Sequence, residues 1–244
     1  MLDYPRLRGV RGSQSGPWPI GRVPEYVIRE IGKQIVLRLA IGRKDISGND
    51  FSEIFATAVN GVDYASPLGL ADVALQTTAW SVKTIQSSNP FGQQRVRLIS
   101  GRNSPDYSFG ISDPHADLQK TGDAVLSIWN ARLNTARNEH NDLRIVVLIR
   151  NVETKQFVIF EDELRQYAAG NYKWGLNPRG NLNGCERNGG RHVFTWQFHG
   201  GQFTVLRNIP ASARRFAINR DVPLVEPSRI ERLIEYSDDW IDLR

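Results

Sequence analysis

The run RIVVLIRN at residues 144–151 constrains the fold of this chain more than any other segment. Its centre is continuously apolar, whereas a strand with one face in water alternates apolar and polar side chains. This pattern predicts a strand that is covered on both faces within a mixed sheet. Such a strand needs packing layers above and below it, so we expect helices on the faces of a central sheet.

Segments on either side of this run predict the other elements of the fold. Apolar spacing predicts three helices. The first covers residues 25–40, and the second runs from a cap at Asn49 or Asp50 to its end at Gly61. The third covers residues 121–139 and is capped by Thr121. Strand-like runs occupy residues 73–76, 79–85, 96–100 and 156–161. The predicted fold class is therefore α/β, with a central mixed β-sheet flanked by helices.

Composition divides the chain into three parts. Residues 1–24 are rich in proline, glycine and serine and predict an irregular arm that becomes ordered only against a partner. Residues 25–166 form the predicted α/β core. Residues 167–244 predict a β-rich extension that packs as one domain with the core. We expect its terminal helix to dock through four apolar side chains, Ile230, Leu233, Ile234 and Trp240.

Charge and cysteine content narrow the class of protein. The 244 residues include 31 Lys and Arg against 26 Asp and Glu, and the net charge of +5 favours a polyanionic partner. Most of the basic residues are arginines, whose planar fork suits phosphate oxygens and guanine edges. The single cysteine, Cys185, argues for a reducing cytoplasm. Because no apolar run approaches the ~20 residues that span a bilayer, we expect no membrane partner.

Several common chemistries lack their motifs in this sequence. Neither a GxxxxGKS/T loop nor a strand-linked GxGxxG loop is present, which argues against nucleotide hydrolysis and dinucleotide redox chemistry. The four histidines and Cys185 do not have the spacing of a structural zinc site.

One aspartate and one lysine in adjacent predicted strands suggest a reactive site. Asp72 opens the first strand, and Lys83 lies on the second, so a tight turn between them brings carboxylate and ammonium to the same end of the pair. An isolated lysine in an otherwise uncharged strand predicts an anionic partner, because burying an unpaired ammonium is costly. The alternative is a solvent-facing lysine and an aspartate that caps a turn. The burial of Lys83 distinguishes the two.

The segment GLADVALQTTAWSVKTI resembles the active-site hairpin of the PD-(D/E)XK nucleases. In those enzymes an aspartate starts one strand, a (D/E)-x-K triplet lies on the next, and an upstream helix adds a glutamate. Here Glu53 in FSEIF matches the helical glutamate, but the triplet reads Ser81-Val82-Lys83 and has no acidic member. The resemblance covers the order of elements over residues 25–160.

The resemblance implies a type II restriction endonuclease that cuts double-stranded DNA, often as a symmetric homodimer. It implies Mg²⁺ held by Asp72, Glu53 and the backbone carbonyl of Val82. Lys83 would then orient water or stabilise negative charge. A repair or mobile-element nuclease of the same fold is one alternative, and a non-catalytic DNA-binding protein is another, because the triplet position of Ser81 has lost its carboxylate.

Two polar loops and a histidine are candidates for contacts with DNA, since arginine forks read guanine and asparagine reads adenine. Ordinary turn chemistry is the competing interpretation of these loops. The candidate residues are Arg102, Asn103, Arg179, Asn181, Arg187, Arg191 and His199.

A second set of residues also matches the PD-(D/E)XK motif. Asp106 follows Pro105, and Glu153 and Lys155 frame Thr154. Because these last three residues fall in a predicted polar turn, where charged side chains are simply solvated, this rival site is less favoured.

Overall fold

The computed structural model describes residues 16–64 and 70–241. The helices are α1 (Glu25–Ala40), α2 (Gly48–Val59), α3 (Pro105–Phe109), α4 (Leu118–Glu139) and α5 (Pro227–Leu233). The strands are β1 (Val62–Asp63), β2 (Val73–Leu75), β3 (Thr78–Gln86), β4 (Arg95–Arg102), β5 (Asp142–Asn151), β6 (Gln156–Glu163), β7 (Tyr172–Leu176), β8 (Leu182–Glu186), β9 (His192–Trp196), β10 (Gln202–Asn208) and β11 (Arg214–Ala217). Within these residues no helix combines the length and apolarity needed to cross a membrane.

The strands form two sheets, and the larger one is mixed. Its order is β1-β2-β3-β5-β6-β11, with β3 parallel to β5 and the other pairs antiparallel. The smaller sheet, β4-β10-β9-β8-β7, is antiparallel throughout. The chain is therefore a mixed α/β protein, as the sequence predicts.

Strand β5 is the centre of the packing. Val146 and Leu148 point into a cluster that includes Ile31 and Ile35 of α1 and Phe55 of α2. Side chains of alternate residues point to opposite faces of a strand. Accordingly, Ile145, Val147 and Ile149 enter the other cluster, which includes Trp129 and Leu133 of α4 and Phe194 and Phe203 of the smaller sheet. The prediction of a strand covered on both faces is confirmed.

The two sheets exchange strands across the predicted boundary at residue 166. Strand β4, which precedes that position, pairs with β10 of the extension. Strand β11, which follows it, pairs with β6 of the core sheet. The core and the extension are thus interleaved.

Both ends of the described chain differ from the sequence predictions. Residues 1–15 of the predicted irregular arm lie outside the described residues, but Trp18 and Val23 of that arm are buried against the core, with no partner required. The terminal helix does not dock as predicted, since Leu233 is 76% exposed and Trp240 57% exposed. Both faces of the central strand β5 are already packed by helices and by the smaller sheet.

Two helix caps also lie a few residues from their predicted positions. Helix α2 is capped by Ser47, whose hydroxyl accepts from the backbone N–H of Asp50, while the Asp50 carboxylate accepts from the Ser47 N–H. Asp50 is therefore the third residue of a capping box. Helix α4 is capped by Asp117, and the predicted cap Thr121 is buried one turn inside the helix.

A buried cluster of charges joins the central strands. The fully buried guanidinium of Arg144 donates to Asp142 Oδ2 at 2.6 Å and to Glu161 Oε1 at 3.2 Å. Glu161 also accepts from the indole N–H groups of Trp80, at 2.7 Å, and Trp18, at 3.1 Å. Charges inside a protein are tolerated only when paired and hydrogen-bonded. The cluster therefore ties β3, β5, β6 and the segment before α1 together.

We predict that Arg144→Met lowers the free energy of unfolding by ~3–5 kcal/mol, because it leaves two carboxylates buried without a cation. Urea unfolding followed by tryptophan fluorescence measures the change. The matched control is Arg165→Met, which removes a 52% exposed guanidinium paired with Asp162 and should cost at most ~1 kcal/mol. Equal effects of the two variants would contradict a structural role for the cluster.

Asn103, a candidate for DNA contact, instead joins the end of β4 to α4. It is fully buried, and its side-chain Nδ2 donates to the Val125 carbonyl at 2.9 Å. Its backbone N–H donates to the Gly201 carbonyl, and its own carbonyl accepts from the Trp196 indole. The prediction that Asn103 reads DNA is wrong, because its hydrogen-bonding groups are used inside the protein.

Asn103→Ala is expected to lower the free energy of unfolding by ~1–3 kcal/mol through loss of buried hydrogen bonds. The neighbouring exposed residue supplies the control, since Arg102→Ala should stay within ~0.5 kcal/mol of the wild type. Chemical denaturation of both variants tests this, and a neutral Asn103→Ala would show that its hydrogen bonds contribute little.

Candidate active site

The hairpin of β2 and β3 positions the central pair of residues. Its register pairs Val73 with Trp80 and Leu75 with Thr78, and Gln76 in the turn has a φ of 52°. The Asp72 N–H donates to the Trp80 carbonyl at 2.9 Å, so Asp72 continues the hairpin beyond the last paired residue. The predicted antiparallel hairpin is confirmed, and it places Asp72 beside the Ser81-Val82-Lys83 triplet.

The Asp72 carboxylate is fixed by three donors from the triplet. Its Oδ2 accepts from the Val82 N–H at 2.7 Å, the Lys83 ammonium at 3.2 Å and the Ser81 hydroxyl at 3.3 Å. Lys83 Nζ also donates to the Val82 carbonyl at 3.0 Å. The Lys83 side chain is 28% exposed. The anion that the sequence predicts beside Lys83 is thus Asp72 itself.

These residues border a cavity of about 560 Å³ between the two sheets and two helices. Among the described residues, three carboxylates and two cations line it. The charged lining residues are Glu53, Asp63, Asp72, Lys83 and Arg132. Helix α2 adds Asn49 and Ser52, β4 adds Ile99, Ser100 and Gly101, and α4 adds Trp129.

The structure brings Glu53 to the same cavity as Asp72, but at its rim. Its carboxylate accepts from Arg38 Nη2 at 3.0 Å, and its side chain is 62% exposed. Asp63 also lines the cavity, and its Oδ1 accepts from the Ser52 hydroxyl at 3.0 Å. Sequence reasoning missed Asp63, because it lies in a strand of only two residues whose pairing with β2 no periodicity marks.

The donors that face the cavity are oxygen atoms, which is the ligand type that Mg²⁺ prefers. Among the residues that the structure describes, however, no three His, Cys, Asp or Glu side chains are grouped so as to hold a metal ion. The Lys83 ammonium also occupies two of the predicted ligand atoms, Asp72 Oδ2 and the Val82 carbonyl. The ligand set of Asp72, Glu53 and Val82 therefore stays a prediction.

The rival set of Asp106, Glu153 and Lys155 is not assembled in the described residues. Asp106 is an exposed residue of α3, which packs on α4. Glu153 lies in the turn between β5 and β6 and borders a different cavity, while Lys155 pairs with Asp221. Their composition is explained by solvated turns.

The remaining candidate DNA contacts divide between the two ends of the smaller sheet. The strand register shows which strand ends lie side by side. Arg102 of β4 pairs with Gln202 of β10, and the next residue of β10, Phe203, pairs with Trp196 of β9. Trp196 also pairs with Leu182 of β8, which in turn pairs with Leu176 of β7. Arg102 and the turns that contain Arg179, Asn181 and His199 therefore share one end. Arg187 and Arg191 lie in the turn between β8 and β9, at the opposite end.

The end that carries Arg102 adjoins the charged cavity, because the three preceding residues of β4 line it. Arg179 and His199 are exposed there. At the other end, Arg191 pairs with Glu186, and Arg187 Nε donates to the Gly170 carbonyl. The five residues of β7 separate the two ends by about 15 Å. The structure thus brings only part of the predicted DNA-contacting set towards Asp72.

Neither a scan against models of protein families nor searches of curated proteins and of solved structures found a match to this chain.

Proposed function

We propose that this chain is a Mg²⁺-dependent endonuclease of the type II restriction class that cuts double-stranded DNA. The observation that carries the proposal is the contact of Asp72 with Lys83 and the Val82 backbone at the edge of a charged cavity. The parallel pairing of β3 with β5, between helical layers, supports a restriction-endonuclease-like core. A homodimer remains a prediction of the family resemblance.

Hydrolysis of a phosphodiester needs an aligned water and positive charge near the developing oxyanion. Bound Mg²⁺ would supply Lewis-acid activation of that water, with Asp72 and the Val82 carbonyl as ligands and a further oxygen from Glu53 or Asp63. Glu53 is available only if its carboxylate leaves Arg38. The Asp63 carboxylate lines the same cavity and accepts from the Ser52 hydroxyl. We therefore propose Asp63 as an alternative to the predicted Glu53.

The protein's own groups have defined parts in this chemistry. The Ser81 hydroxyl and the Val82 N–H hold the Asp72 carboxylate in one orientation. The Lys83 ammonium can donate to a phosphate oxygen or to the attacking water, and its positive charge favours the transition state. A partly exposed lysine on a flexible stem can exchange its present acceptors for a substrate oxygen at little cost.

Cleavage of plasmid DNA is expected to require Mg²⁺, to stop in EDTA, and to fall on the order of 100-fold or more in Asp72→Asn and Lys83→Gln. Asp106→Asn and Lys155→Gln are matched controls from the rival set and should cut at wild-type rates. Gel analysis of discrete fragments from unmethylated plasmid and phage DNA measures activity and site specificity together.

Two outcomes would change the proposal. Loss of cleavage in the Asp106 and Lys155 variants, with Asp72 and Lys83 variants active, would move the chemistry to the rival set. Salt-sensitive DNA binding without cleavage in any metal would favour a non-catalytic DNA-binding protein. The second candidate is supported by Ser81, which occupies the acidic triplet position, and by the ion pair that engages Glu53.

We predict that the cavity end of the smaller sheet binds the DNA backbone. Arg102→Ala combined with Arg179→Ala should weaken duplex binding and reduce the slope of log affinity against log salt by about one for each phosphate that the variant no longer neutralises. Arg187→Ala combined with Arg191→Ala removes the same charge from the opposite end and should leave the slope unchanged. Fluorescence anisotropy in EDTA measures both slopes, and an equal reduction in the two variants would contradict the assignment.

A further inference from the structure

Arg132 is half-buried and, among the residues that the structure describes, has no carboxylate partner, unlike the three buried arginines that follow. Arg144, Arg150 and Arg207 each form an ion pair with an aspartate. Within the described part of the chain, the Arg132 guanidinium donates only to the Ser100 carbonyl, at 3.0 Å, and to Asn103 Oδ1, at 3.4 Å. Across residues 16–64 and 70–241, no carboxylate oxygen lies within 4.0 Å of it.

Burial makes the lack of a carboxylate partner energetically unfavourable for the charged Arg132 side chain. Burial lowers the pKa of its guanidinium, because neutral oxygen acceptors do not replace the water that the charge has lost. Arginine nevertheless remains charged, since its intrinsic pKa lies far above neutrality. A half-buried cation without a counter-ion favours the binding of an anion.

The backbone at Gly101 leaves room for the Arg132 side chain. Gly101 has a φ of +94°, and a Cβ atom there would lie 3.0 Å from Arg132 Cζ and 2.9 Å from Nη2. Both the conformation and the close approach favour glycine at this position. The Arg132 side chain therefore lies against the end of β4, in a space that a residue larger than glycine at position 101 would obstruct.

Arg132 lines the cavity that Asp72 and Lys83 also line. Both hydrogen bonds of its guanidinium come from Nη1, so the Nε–H and the Nη2 N–H groups donate to no atom of the described residues. These two nitrogens form the side of the fork that binds phosphate or carboxylate through two parallel hydrogen bonds. Arg132 lies on the α4 and β4 wall, whereas Lys83 projects from β3.

We propose that Arg132 binds a phosphate group of the ligand within this cavity, through Nε and Nη2. The inference rests on the proposed function in that the phosphate belongs to the DNA strand being cut. The binding itself requires neither metal nor cleavage. It gives the cavity two cationic groups, Lys83 in contact with Asp72 and Arg132 with no described carboxylate oxygen within 4.0 Å.

The first test is anion binding by the metal-free protein. At equal ionic strength, inorganic phosphate in place of chloride should raise the melting temperature of the wild type and of Arg137→Gln. Arg137 lies in the last turn of the same helix and does not line the cavity. Arg132→Gln should lose most of this rise, and Arg132→Lys, which keeps the charge without the fork, should retain only part of it.

The second test is the affinity for a short DNA duplex in EDTA, measured by fluorescence anisotropy. Arg132→Gln should bind about tenfold more weakly than Arg137→Gln, the reduction expected for one charge-assisted bidentate interaction. Wild-type phosphate stabilisation and duplex affinity in Arg132→Gln would overturn the proposal. If Arg132→Gln does not fold, Arg132→Lys is the deciding variant. Phosphate stabilisation and duplex affinity in Arg132→Lys that equal those of the wild type would then overturn the proposal.

The two proposals fail separately in these experiments. If no metal produces cleavage, the proposed nuclease function fails, while a phosphate effect that depends on Arg132 still establishes the anion site. If cleavage depends on Lys83 but both anion tests are insensitive to Arg132, the anion site fails and the nuclease function stands.

Discussion

The position of the candidate site depends on the buried cluster of Arg144, Asp142 and Glu161. The cluster joins the parallel strands β3 and β5 at one end and reaches β6 through Glu161. Trp80 donates to Glu161 and lies next to Ser81, the first residue of the triplet. Because a shift of one residue reverses the faces of a strand, this contact helps to fix which side chains of β3 enter the cavity.

The site itself is built where secondary structures end. The hairpin supplies Asp72 and Lys83, the first turns of α2 supply Asn49, Ser52 and Glu53, and the last residues of β4 supply the opposite wall. The capping box at Ser47 fixes the start of α2 and hence the direction of its first turns. Rigid elements thus position polar groups that approach one another only in the folded chain.

Elements defined by local patterns could be predicted from the sequence, and those defined by distant pairing could not. The apolar run of β5 and the spacing in α1 indicate their structure directly. Strand β4 could be predicted as a strand, but nothing in its residues indicates that it pairs with β10 rather than with β3. Asp72 and Lys83 could be identified because one tight turn joins them. Asp63 and Arg132 enter the site only through contacts between distant segments.

Strand β4 links the proposed chemistry to the proposed recognition of DNA. Its final residues line the cavity, its Ser100 carbonyl accepts from Arg132, and Arg102 follows at the exposed end. Asn103 then anchors that end to α4 through a buried hydrogen bond. Strand β4 therefore connects the cavity rigidly to the turns of the smaller sheet, where a DNA duplex would bind under the proposed function. Since Lys83 is already paired with Asp72, the cation without a carboxylate partner in the described lining is Arg132, on the wall that β4 helps to form. Under the proposed function, Arg132 would therefore bind a phosphate of the DNA strand on the wall that also carries the candidate recognition surface.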